Sequence, residues 1–183
     1  MTIPDNSIQA SNTSWQSAIW LLSLLSALFL FVWIAPFHHP FESLADYLPL
    51  HTLAETFSVV VAVMIFGVGW HAYEPSRPMN VVLIACAFLA VGLLDFGHFM
   101  SYSGMPDFVT PSSPTKFLAF WLAARFIAAI ALLAAAMMPW TPYKTPRMRY
   151  FILAFCIAYT AIAYWVTLFH PHLLPELFIA EPV

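Results

Sequence analysis

Met79-Asn-Val-Val-Leu-Ile-Ala-Cys-Ala-Phe-Leu-Ala-Val-Gly-Leu-Leu-Asp95-Phe-Gly-His98-Phe-Met100 is an apolar run with a carboxylate and an imidazole near its end. A bilayer-spanning helix needs about 20 consecutive, mostly apolar residues, and this run supplies them. A charged side chain at the centre of such a helix costs about 3 kcal/mol or more, so it is kept where it faces protein rather than lipid. Asp95 and His98 are spaced i,i+3, which places both on one helix face. The one stretch therefore points to a membrane helix and to a polar site built into it.

Four more runs of this length flank it, at 15–35, 50–70, 117–138 and 150–169. The chain is 62% hydrophobic and 8% charged, with a mean hydropathy of +0.81, and the spans leave no room for a soluble catalytic domain. The expected fold is all-α: an integral membrane helical bundle of about five transmembrane helices, with the lipid bilayer as its surroundings. A polar segment over 1–14 precedes the bundle at 15–170, and a short tail follows at 171–183. Residues 1–14 contain no Lys or Arg, whereas a cleaved signal peptide starts with a basic region, so the first span is read as uncleaved. Six Lys+Arg and a net charge of -3 argue against nucleic-acid binding. Cys86 and Cys156 fall mid-span and read as small packing residues.

Loop charge gives an orientation. Arg77 lies in the second loop and Lys144, Arg147 and Arg149 in the fourth. Glu42, Asp46, Asp107, Glu176 and Glu181 lie in the first, third and last segments. The positive-inside rule then puts the N-terminus and the even loops in the cytoplasm. In that frame His51 opens the second span at its outer end, and Glu55 follows one turn deeper at the i,i+4 spacing. Asp95 and His98 approach the same surface from below, and Arg125 lies about 12 Å into the fourth span. Three helices bring ionisable groups to one depth in the outer leaflet.

Several chemistries suit these five residues. Glu55, Asp95 and Arg125 are the makings of a structural ion-pair lock, since Arg is the usual partner of buried carboxylates. His51 and His98 add groups that titrate near neutral pH. His51, Glu55, Asp95 and His98 together are an ordinary ligand set for a first-row divalent metal. Met100 and Met105 beside His98 suggest copper in its soft Cu(I) state. Two histidines on neighbouring helices also suit a haem, with the nearby carboxylates as unusual company. His38, His39, His170 and His172 lie towards the same side, and His71 is an interfacial residue. No nucleophile, phosphate loop or catalytic constellation appears, and an enzyme is not expected.

The set His51-Thr-Leu-Ala-Glu55-Thr-Phe57-Ser58, Trp70, Gly92-Leu-Leu-Asp95-Phe-Gly-His98, Tyr102-Ser-Gly104-Met105 and Trp121-Leu-Ala-Ala-Arg125 resembles the membrane-associated sensor domains of the MASE class, third type. The resemblance covers about 50–139 and, more loosely, the tail. It implies a sensory input domain of bacterial signal transduction in the inner membrane, of the kind fused to diguanylate cyclase, phosphodiesterase or histidine kinase modules. It also implies a ligand-binding role for His51, Glu55, Asp95, His98, Arg125 and Tyr102. Parity adds a constraint. Five spans with the N-terminus inside leave the C-terminus outside, so a cytoplasmic cyclase or kinase output needs one more crossing. The chain is then either a fragment of a longer sensor or a free-standing relative. A free-standing chain would be a homodimer or a small metal- or haem-binding accessory subunit of a membrane complex.

Overall fold

The computed structural model describes residues 6–34, 43–72, 74, 78–142, 145 and 147–175. His38, His39, Glu42, Arg77, Lys144, Glu176 and Glu181, which carried part of the reading above, lie outside the described residues. The described residues contain five α-helices, α1 Asn6–Ile34, α2 Leu44–His71, α3 Met79–Met100, α4 Pro114–Met137 and α5 Met148–Phe169, with a 3-10 turn at Pro171–Leu173. All five are long and apolar enough to cross a membrane. The described residues contain no strand, only two isolated bridges. The chain is an all-α, multi-pass membrane protein. It divides into two units, Met1–Glu42 with α1 and Ser43–Val183 with the other four helices.

The α3 boundaries are those read from the sequence, and α2 differs. It starts at Leu44, well before the apolar run, and carries Pro49 within it. Ser43 explains the early start. Its Oγ accepts from the Asp46 backbone N–H at 3.3 Å and donates to the Asp46 carboxylate at 2.7 Å, a serine-led cap that nucleates the helix on polar ground. The start of α4 is set the same way. Ser113 accepts from the Lys116 N–H, and Pro114 occupies the first turn, where its missing N–H costs nothing.

α3 is the axis of the second unit. It packs against α2, α4 and α5, and α4 also packs against α5. α2 and α4 each pack chiefly on α3. The reason is small residues on several sides of the contact. A Cβ at Gly69 would stand 2.6 Å from the Ala85 Cβ, and one at Gly92 would stand 3.2 Å from the Ala62 Cβ, so α2 and α3 approach at backbone distance. A Cβ at Gly97 would meet the Tyr164 hydroxyl and the Phe120 ring, so α5 and α4 close on the same turn. Ala85, Cys86, Ala90, Leu94 and Phe120 are almost wholly buried in the resulting core.

Hydrogen bonds to backbone carbonyls tie the helices where lipid offers none. Buried Asn80 at the start of α3 donates to Ala135 O (2.7 Å) and Met138 O (3.2 Å), capping carbonyls at the end of α4. Tyr164 Oη donates to Leu93 O, and Tyr159 Oη to Ala123 O. Between α3 and α4, Thr110 N–H donates to Phe108 O at 2.7 Å across Val109, whose φ is 66°. That is the strained form of the three-residue turn. Lys116 Nζ holds it by donating to Phe108 O (2.7 Å) and Thr110 O (2.8 Å).

Candidate functional site

α2 and α3 run antiparallel, so the beginning of α2 meets the end of α3. The i,i+4 spacing puts His51 and Glu55 on one face of α2, and that face looks onto His98. One ligand-type atom from each of His51, Glu55 and His98 lies within 4.8 Å of the other two. His98 Nε2 and the Glu55 carboxylate are 4.0 Å apart, with the His98 side chain 7% exposed and that of Glu55 23%.

The far nitrogen of each imidazole is committed. His98 Nδ1 lies 2.8 Å from Phe117 O. A carbonyl can only accept, so Nδ1 carries a proton, and Nε2 is the nitrogen that faces Glu55. His51 Nδ1 lies 3.3 Å from the Tyr47 hydroxyl. His51 Nε2 is buried and has no hydrogen-bond partner. A buried polar atom without a partner costs about 1–3 kcal/mol, so this nitrogen has hydrogen-bonding or ligating capacity to spare.

Tyr102, just past α3, closes the group. Its ring centroid is 4.2 Å from that of His51, 6.3 Å from that of His98 and 5.0 Å from that of Phe117. Burial pushes its phenol above the ordinary tyrosine range, so it stays neutral beside the imidazoles.

Asp95 and Arg125 form a second group one turn further into α3. Arg125 Nη2 donates to both carboxylate oxygens, at 2.6 Å and 2.5 Å. Asp95 is 2% exposed and Arg125 46%. The Trp121 ring lies 5.9 Å from the guanidinium, one turn earlier on α4. A cleft of about 300 Å³, lined by Phe57, Ser58, Ala62, Phe88, Asp95 and Arg125 among others, opens beside the pair.

The six residues singled out from the sequence are thus divided. His51, Glu55, His98 and Tyr102 are brought together, while Asp95 and Arg125 bond each other within electrostatic reach of Glu55. Met105 turns its sulfur to the Thr52 hydroxyl at 3.9 Å. Two contributors were missed by sequence reading. Tyr47 reaches His51 from one turn earlier, and its i,i+4 spacing was readable once the helix was known to begin at Leu44. The Phe117 carbonyl has no sequence signal, because any residue there supplies one.

A family model described as a membrane-associated sensor domain, MASE3, matches residues 42–182. The match covers α2 to α5, every described residue of both polar groups included, and the chain belongs to this family of membrane sensor domains. No curated protein and no solved structure matches it.

Proposed function

We propose that the chain is the sensory input domain of a bacterial signal-transduction protein in the inner membrane, and that its stimulus is received by His51, Glu55 and His98. Family membership supports the input role. The observation that carries the receiving site is the buried, partnerless Nε2 of His51 beside a second imidazole and a carboxylate. What sets this atom apart is its company: it stands in a cluster of ligand-type atoms drawn from two helices, which is what a receptor offers a ligand.

Arg147 and Arg149 at the start of α5, and Asp46 and Asp107 at the opposite end, support an N-terminus in the cytoplasm and a receiving group that faces out. A ligand moves a sensor only by binding one packing arrangement better than another. His98 and Asp95 share one face of α3, and Asp95 is tied to α4. A shift of α2 against His98 is therefore passed to α4 through a rigid helix and an ion pair. The output is a cyclase or kinase module, in the same polypeptide or in a partner.

The test is a diguanylate cyclase reporter joined behind the chain through one added transmembrane span, with cyclic di-GMP measured in cells at matched expression. Glu55→Gln and His51→Ala should each change the output relative to wild type. Output identical across wild type and both variants overturns the proposal.

A further inference from the structure

We infer that the receiving group binds a first-row divalent cation of the Zn²⁺ class, through Nε2 of His51, Nε2 of His98 and a carboxylate oxygen of Glu55. The inference rests on the reading of this group as the receiving site. Two imidazoles and one carboxylate are a set that zinc and its neighbours favour, while Ca²⁺ and Mg²⁺ want oxygen ligands throughout.

The surroundings have the form that metal-binding histidines need. A ligating imidazole is oriented by a partner on its other nitrogen, which fixes the tautomer and points the free lone pair at the ion. His98 has that partner in Phe117 O, and His51 has it in the Tyr47 hydroxyl. His98 Nε2 then faces Glu55 at 4.0 Å, and a ring nitrogen of His51 lies within 4.8 Å of the ligand atoms of both. Three protein ligands leave a fourth tetrahedral position for water, the arrangement of an exchangeable rather than a purely structural ion.

Rival occupants fit less well. A haem needs an open slot between its axial imidazoles into which the flat macrocycle can spread sideways. Here the Tyr102 ring packs 4.2 Å from that of His51, and Glu55 reaches to within 4.8 Å of both imidazoles' ligand atoms. Cu(I) wants soft ligands, and the Met105 sulfur is turned to Thr52. Asp95 is held on both oxygens by Arg125 and is not needed.

Binding would also move helices. Zinc–ligand distances of about 2.0–2.1 Å in a tetrahedron put neighbouring ligand atoms about 3.3 Å apart. The Glu55–His98 separation is 4.0 Å, and the three atoms span up to 4.8 Å. Loading therefore draws the start of α2 towards the end of α3. The close contact of Gly92 with Ala62, two turns deeper on α2, serves as the fulcrum.

The experiment is a Zn²⁺ titration of the purified full chain in lipid nanodiscs, followed by calorimetry, with Co²⁺ as a second probe read by its visible d–d absorption. Wild type should bind one ion per chain, and Co²⁺ should give the intense bands of a four-coordinate site. His51→Ala and Glu55→Gln should each weaken Zn²⁺ binding by more than about tenfold. Glu55→Gln is the variant least able to disturb the fold, since that side chain is 23% exposed and is packed less tightly than His98. His170→Ala and His172→Ala should bind as wild type does. Absence of Zn²⁺ binding at about 100 μM, an unchanged affinity in Glu55→Gln, or loss of binding in the His170 variant overturns the metal site. The two proposals fail separately. Reporter output that responds to Glu55→Gln in a protein that binds no metal keeps the receiving site and removes the ion. Stoichiometric Zn²⁺ binding with an indifferent reporter keeps the ion and removes the sensory reading.

Discussion

The two polar groups of α3 stand one helical turn apart and differ in how far each is satisfied. Asp95 has both oxygens bonded by Arg125 at 2.5–2.6 Å, whereas His98 faces Glu55 across 4.0 Å and His51 Nε2 faces no partner. Both groups are charged or titratable side chains near the same end of α3. The first is closed on itself and fastens α3 to α4. The second is held open by bonds on its outer side, and it is the group proposed to receive a ligand. Satisfaction, rather than composition, separates a lock from a receptor.

The strongest way to break this contrast is Arg125→Ala. It leaves the nearly inaccessible Asp95 carboxylate unpaired, and removing one partner of a buried pair costs about 3–5 kcal/mol. Denaturant unfolding in nanodiscs or micelles should show a loss of that size, with partial recovery in the Arg125→Ala, Asp95→Asn double variant. A loss under about 1 kcal/mol would mean that the pair locks nothing.

Next in size is Gly69→Ala. The open group keeps its spacing because α2 and α3 are positioned elsewhere, by the glycine contacts. The new methyl would stand 2.6 Å from the Ala85 Cβ, an overpacking that costs about 1–3 kcal/mol. Tm should fall while Zn²⁺ affinity is kept or strengthened, since the Gly92–Ala62 fulcrum lies between Gly69 and Glu55 and parting the helices at Gly69 tilts Glu55 towards His98. A variant as stable as wild type, or one with weaker Zn²⁺ binding, would break that linkage between the two ends of the interface.

Val109→Gly runs in the opposite direction. A β-branched residue at φ 66° is strained by about 1–2 kcal/mol, so glycine there should raise stability by about 1 kcal/mol without touching either polar group. Reduced stability would show that the Val109 side chain contributes packing that outweighs its strain.

The smallest effect belongs to the open group itself. Glu55→Gln in metal-free protein should change stability by less than about 1 kcal/mol, since a contact as long as 4.0 Å contributes little. In saturating Zn²⁺, wild type should gain about 2.7 kcal/mol at a hundredfold excess over Kd, and the variant should gain much less. A metal-free loss comparable to that of Arg125→Ala would erase the difference between the groups.

Hydropathy and spacing alone determined that the chain is a set of membrane helices, because a bilayer admits few other ways to bury a continuous apolar run. They also determined that His51 shares a face with Glu55 and Asp95 with His98, because helical periodicity is a local property. The start of α2 was less legible: apolar content marked only the part in lipid, and the Ser43 cap extends the helix beyond it. Which carboxylate answers to Arg125 was not written in the sequence, where Glu55 and Asp95 were equal candidates. That choice follows from α3 standing between α2 and α4, and so from glycines and alanines whose contacts lie far from any charge. The tautomer of His98 was likewise decided by a backbone carbonyl on another helix. Pairing across helices depends on interaxial distances of a few ångströms, and only the packed tertiary structure sets those.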